Sequence, residues 1–182
     1  EDLNNVDTEE KIEIVKQLEK AAFEKDKRVS AVNYCIYSDL EFERSLINSR
    51  GIDLSFRNNA SYIYISVVAR DGDEVRTGSE HFITQDFNQL TPDEVASKAV
   101  DEAVSLFGAK SLASKKYPVL LRRDVAADFL NTFTSTFSAE NVQKGLSLFE
   151  GKLNQKVAAS KVSIIDDPFL EGGFRISPFD GE

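Results

Sequence analysis

Residues 60–87 read ASYIYISVVARDGDEVRTGSEHFITQDF, and their period decides the fold. Tyr62, Tyr64, Ser66 and Val68 alternate with Ile63, Ile65, Val67 and Ala69. A repeat of two is the repeat of a strand, whose successive side chains point to opposite faces. Both series are largely apolar, so this strand is expected at the centre of a sheet. Asp71-Gly72-Asp73 is a tight hairpin signal. Val75 to Phe87 then reads as a further strand, more polar and so nearer an edge.

Period two also holds upstream. Val29, Ala31, Asn33, Cys35 and Tyr37 alternate with Val32, Tyr34 and Ile36, and Phe42-Arg44-Leu46 follows. Asn48-Ser49-Arg50-Gly51 is a turn in which glycine supplies a positive φ. Ile52-Leu54-Phe56 comes next, and Asn58-Asn59 reads as another turn. The sum is an antiparallel meander of four or five strands.

Helical spacing brackets the meander. Asp7 reads as an N-cap with Glu10 three residues on, followed by an apolar stripe of Ile12, Val15, Leu18 and Ala22 that ends near Asp26. Thr91-Pro92-Asp93-Glu94 opens a second helix, with Val95, Ala99, Ala103 and Leu106 on its buried face and Gly108 closing it. Lys116 to Leu121 reads as a short strand with Pro118 near its start. Asp124 is expected to cap a helix through Val125, Phe129, Leu130, Phe133 and Phe137, and Ser138 or Asn141 a segment through Leu148. Lys161-Val162-Ser163-Ile164-Ile165 has strand chemistry, and Asp166-Asp167-Pro168 opens a turn. The fold class is therefore α+β: an antiparallel meander with helices packed on one face. The expected division is a linker over 1–6, a helix–sheet–helix unit over 7–110, and a strand–helix–strand segment over 111–182.

Composition narrows the function. The chain has 182 residues, is 41% hydrophobic and carries a net charge of −9, which suits a folded core and argues against a basic face for nucleic acid. Lys115-Lys116 and Arg122-Arg123 read as solvated element ends. A single cysteine, Cys35, excludes an internal disulfide, and its strand setting reads as a structural thiol. No apolar run approaches a membrane span, so a cytoplasmic protein is expected. The start at Glu1 and the end on Ser177-Pro178-Phe179-Asp180-Gly181-Glu182, a turn signal, read as a piece cut from the middle of a longer protein.

Five segments in order resemble one family. They are residues 7–28 with the ending Asp26-Lys27-Arg28, residues 45–51 (SLINSRG), residues 118–121 (PVLL), residues 141–157, and residues 164–182 with Asp166-Asp167-Pro168 and the SPFDGE end. Together they are similar to the PmbA/TldD family, bacterial proteins linked to peptide maturation and once called modulators of DNA gyrase. The resemblance covers nearly the whole chain. It implies a PmbA/TldD-like fold and a link to metallopeptidase activity.

The residues themselves supply little catalytic chemistry. A zinc peptidase site needs two histidines one helical turn apart, a nearby glutamate and a further ligand. This chain has one histidine, His81, beside Glu80 on a strand. The resemblance places the family's His-Glu-x-x-x-His motif, carried by its TldD-like branch, near Leu130-Asn131-Thr132-Phe133-Thr134-Ser135, where neither residue type occurs. The chain thus resembles the TldE/PmbA branch, the subunit without metal. That implies no catalytic, cofactor-binding or metal-binding residues in this chain, zinc only in a TldD-like partner, and an oligomer at full length. The expected role is the non-metal subunit of a complex that processes or degrades small peptides and unfolded proteins. Two alternatives stand beside it: a peptide- or protein-binding module with no protease link, and a peptidase whose active residues lie in a missing C-terminal part.

Other motifs carry weaker readings. Gly-x-Ser-x-Gly and a phosphate loop are absent, and Gly145-Leu146-Ser147 reads as a helix segment. Asp166 and Asp167 with Asp180 and Glu182 could gather a divalent cation, although Asp-Asp-Pro is first a turn opener. Phe129, Phe133 and Phe137 recur every four residues and serve either as core or as an intersubunit surface. The exposed edge of the sheet offers a place for an extended peptide to add as a strand.

Overall fold

The computed structural model describes residues 3–170 and Phe179. The chain divides into two units, one of residues 1–111 with 167–182 and the other of residues 112–166.

The first unit is built on three long strands: β1 (Val29–Ile47), β2 (Asp53–Asp71) and β3 (Glu74–Thr84). They pair antiparallel in the order β1-β2-β3, so the strand that is apolar on both faces is central and the more polar β3 is an edge. The meander therefore has three strands rather than four or five. The difference lies at Asn58 and Asn59, expected as a turn, where β2 runs straight through. Asn58 finds a tertiary partner: its Oδ1 accepts from Gln85 Nε2 at 2.7 Å and from Asn59 N–H at 2.8 Å. A satisfied asparagine has no need of a turn to solvate its amide.

The true turns follow the sequence reading. Asn48 Oδ1 accepts from the N–H groups of Arg50 and Ile52, and Gly51 takes φ +90°. The β2–β3 turn is Gly72-Asp73, with a positive φ at Gly72 only, as in a II′ hairpin.

Helices α1 (Thr8–Lys25) and α2 (Pro92–Ser105) pack on one face of this sheet. Asp7 caps α1 by accepting from Glu9 N–H at 3.3 Å. The buried stripe of α1 is centred on Leu18 and Ala22, with Ile14 and Ala21 beside them. Ile12, expected in that stripe, is exposed, because it stands about 120° around the helix from Leu18 at 3.6 residues per turn. On α2, Val95, Ala96, Ala99, Val100 and Ala103 are buried, whereas Leu106 lies past the last turn and is exposed. Gly108 closes the helix at φ +72°.

These residues meet Ile63, Ile65, Val67 and Ala69 of β2, all fully buried. Leu3, in the segment expected as a linker, is also buried in this core and sits in a single 3₁₀ turn, Leu3–Asn5. Helix and sheet approach closely at Gly78: a Cβ there would lie 2.2 Å from the Ala99 carbonyl oxygen and 2.5 Å from Ala103 N.

The second unit holds α3 (Arg123–Asn131), a 3₁₀ turn over Thr134–Phe137, and the short α4 (Ala139–Gln143). Arg122, not Asp124, occupies the N-cap of α3, and Asp124 stands in its first turn. Ser138 caps α4 through Asn141 N–H, but α4 stops at Gln143, and Gly145 turns the chain at φ +66°. The strands expected at Lys116–Leu121 and Lys161–Ile165 do not form, since no described strand lies alongside either segment. A lone apolar run has no ladder to join.

Candidate functional site

The segment where the resemblance places the family's metal motif, Leu130–Ser135, is the end of α3 and the turn after it. Two of its three hydroxyls bond to backbone: Thr132 Oγ1 donates to the Asp128 carbonyl at 3.0 Å and Thr134 Oγ1 to the Asn131 carbonyl at 2.8 Å. Leu130 and Phe133 are partly exposed apolar groups. None of these side chains is an imidazole, thiolate or carboxylate, and Asn131 offers only a neutral amide, so this turn does not fit zinc.

His81 stands on β3 opposite Tyr64, with its ring 5.8 Å from that of Tyr62. Glu80 faces the other side of the strand, and its carboxylate caps the His81 N–H at 3.0 Å. The same carboxylate oxygen lies 4.0 Å from His81 Nδ1, a contact between sequence neighbours that no third ligand joins among the described residues. Asp167 does open the expected turn: its Oδ1 accepts from Phe169 N–H at 2.9 Å. Asp180 and Glu182, the other members of that acidic group, lie outside the described residues. Among the described residues no three His, Cys, Asp or Glu side chains gather to hold an ion.

Cys35 faces the helices, and its Sγ donates to the Val15 carbonyl at 3.4 Å. Burial pushes its thiol up to about 11, the opposite of what a nucleophile needs. Its neighbour Tyr37 donates to Asp39 at 3.0 Å, and Lys11 of α1 closes the trio with an ion pair to Asp39 at 2.5 Å. Burial, with Asp39 beside it, drives the Tyr37 phenol far above its ordinary range. This trio ties α1 to β1. Ser147 is buried, donates to the Thr136 carbonyl at 2.6 Å and accepts from Phe149 N–H, so it holds a loop. Arg122 grips Asp124 through two bonds of 2.5–2.6 Å, so part of the basic cluster is locally neutralised.

The aromatic residues divide between the two units. Phe129, Phe133 and Phe137 are all exposed; Phe129 packs edge-on against Phe133 at 5.2 Å, and Phe137 lies tilted against Phe149 at 5.0 Å. Phe137 and Phe149 border an apolar groove with Val157, Val162 and Ile164. In the first unit, the sheet face turned away from α1 and α2 presents Tyr34, Ile36 and Leu40 of β1, Tyr62 and Tyr64 of β2, and Ile83 of β3. The sequence reading missed this face. Its signal was present as the placement of charge: Asp39, Glu41, Glu43, Asp53, Asp71, Glu74 and Glu80 all occupy the opposite register.

Comparison with known proteins agrees with this architecture. Residues 1–107 match the model of the PmbA/TldA metallopeptidase central domain, and residues 114–182 that of the PmbA/TldA metallopeptidase C-terminal domain. The crystal structure of a proposed modulator of DNA gyrase from Thermotoga maritima superposes with a TM-score of 0.92 at 34% identity, over 98% of this chain and 41% of that one. A PmbA metalloprotease homologue of Haemophilus influenzae is 24% identical over 98% of this chain and 40% of its own length. TldE from Thermococcus kodakarensis shares the fold, with a TM-score of 0.76 at 23% identity, over 95% of this chain and 39% of that one. The chain thus spans about two fifths of the length of these relatives.

Proposed function

Because this chain belongs to the PmbA/TldD family of metallopeptidases, we propose that it is part of a non-metal subunit of a TldD/TldE-type peptidase complex. In this reading a TldD-like partner carries zinc and cleaves small peptides and unfolded proteins. The present subunit supplies wall and interface, and the assembly is cytoplasmic. The observation that carries the reading is the turn at Leu130–Ser135. Its place in the family pattern calls for His-Glu-x-x-x-His, and its side chains are apolar, hydroxylic or, at Asn131, a neutral amide, with Thr132 and Thr134 already bonded to the helix. The sole histidine, His81, lies on a strand of the other unit.

The exposed Phe129, Phe133 and Phe137 fit an interface role better than a catalytic one, since a row of solvated phenylalanines is normally covered by something. The test is elemental analysis of the full-length protein purified without a partner. Zinc and iron near zero per chain are expected, with metal recovered only in a co-purifying subunit. About one metal ion per chain, the stoichiometry of a single catalytic site, would overturn the assignment and make the protein a peptidase in its own right.

A further inference from the structure

The outward face of the sheet is at odds with the rest of the molecule. An antiparallel sheet covered by helices on one side ordinarily turns polar residues to water on the other. Here the outward positions carry Tyr34 at 62% exposure, Leu40 at 60%, Ile36 at 40% and Ile83 at 37%. Phe42 and Phe56 extend the surface, packed edge to face at 5.9 Å, and Tyr62 stacks on Tyr64 at 6.4 Å. No aspartate or glutamate stands at an outward position of the described strands, although the chain holds 31 such residues. The outward charges are Arg44 and Arg70, with His81 beside the tyrosines. Aromatic enrichment with acid depletion is the composition of an interface core, not of a solvated surface.

Two observations identify what covers it. Of the segment that follows the second unit, the described residues 167–170 and Phe179 belong with the sheet's unit rather than with the unit they follow in sequence. Phe179, from that segment, already sits on this face, with its ring edge-on to Phe56 at 5.5 Å. Phe179 is followed in sequence by Asp180 and Glu182, an aromatic and acidic run that complements a surface of rings and arginines. A second copy of the same face would instead set arginine toward arginine, with no outward carboxylate to answer it.

We propose that the outward face of the β1–β2–β3 sheet is an internal interface of the complete protein, covered by the polypeptide that continues from Phe179. The relatives supply such a continuation, since this chain accounts for about two fifths of their length. The proposal rests on that length and not on which subunit binds metal, so the metal measurement can fail while this interface stands, and the reverse.

The experiment uses the full-length protein carrying Leu40→Cys or Ile83→Cys, with Asp73→Cys in the exposed hairpin turn as reference. Maleimide labelling is followed at each site by peptide mass, and melting curves confirm folding. Should Leu40→Cys fail to fold, Tyr34→Cys reads the same surface. Labelling at positions 40 and 83 is expected to be about tenfold or more slower than at 73, as for groups that react only on local opening. This protection is expected to be unchanged on dilution, and Phe179→Ala is expected to accelerate labelling at 40. Labelling as fast as the reference overturns the proposal, because the face is then open. Protection that disappears on dilution also overturns it, because a second subunit is then the cover.

Discussion

Residues 1–111 and residues 112–166 are both rich in aliphatic and aromatic side chains, yet only the first region turns them into a core. In the first, Leu18, Ile63, Ile65, Val67 and Val100 lose essentially all contact with water. In the second, Leu120 is 98% exposed, Leu153 88% and Ile165 80%, and its buried residue is Ser147. The contrast teaches that hydrophobic content does not make a core; a period that gathers the apolar residues on one face does. Residues 63–69 repeat every two and residues 95–103 every three or four, so sheet and helix each present a continuous apolar face. Around Lys116–Leu121 the apolar residues are contiguous, with no partner strand among the described residues to bury them.

The largest expected effect tests that contrast directly. Ile65→Ala removes side-chain volume from the centre of the sheet and is expected to destabilise the first region by about 2–5 kcal/mol, the usual range for such a cavity. Leu120→Ala in the same chain is expected to shift stability by no more than about 0.5 kcal/mol, as at ordinary surface sites. Urea unfolding followed by exchange of β2 amides reads both. Equal losses would mean that the two regions share one core.

A smaller effect isolates the helix–sheet contact. Gly78→Ala places a methyl group against the backbone of α2 at Ala99 and Ala103. Backbone cannot rotate away as a side chain can, so α2 must shift as a body. The expected loss is about 1–3 kcal/mol, typical of overpacking, concentrated in the exchange of α2 and β3 amides. Protection left unchanged there would show that the helix has room the structure does not indicate.

What the sequence revealed follows the same division. The central place of β2, the edge place of β3, both hairpin turns and the two packed helices were legible because each rests on local period or turn chemistry. Asn58-Asn59 misled because asparagine signals a turn only when no partner waits, and Gln85 is one that sequence cannot place. Lys116–Leu121 misled because strand chemistry without a neighbouring strand does not make a ladder. Leu3 was hidden by the polar residues around it. At the candidate site, the absence of a histidine pair was plain from the count. The outward sheet face was not, since its signal lies in which register the carboxylates occupy, and that requires the pairing of three strands.

The smallest expected effect sets two similar carboxylates against each other. Asp26 accepts from Arg28 N–H, Nε and Nη2 at 2.7–3.0 Å, and Asp124 is gripped by Arg122 in the same two-residue spacing. Each arginine holds its carboxylate at about 2, below the ordinary 3.8. The surroundings differ. Arg28 also reaches Asp71 of β2 at 3.6 Å and lies over the Phe107 ring at 5.4 Å, so the Asp26 contact exists in this form only when helix and sheet are assembled. Arg122 and Asp124 are neighbours whether or not the unit is folded, so the unfolded chain retains much of their attraction. A carboxylate with a lowered folded pKa stabilises above its unfolded pKa and loses that contribution as pH falls through the folded one. For Asp26 the window runs from about pH 4 down to about pH 2. Asp26→Asn is therefore expected to lower the urea midpoint most at neutral pH, with the gap to the parent narrowing across that window. Asp124→Asn is expected to show a smaller gap at every pH. If the Asp124→Asn gap narrowed on acidification as much as that of Asp26→Asn, the arginine grip alone would suffice, and the tertiary anchoring of Arg28 would carry no part of the effect.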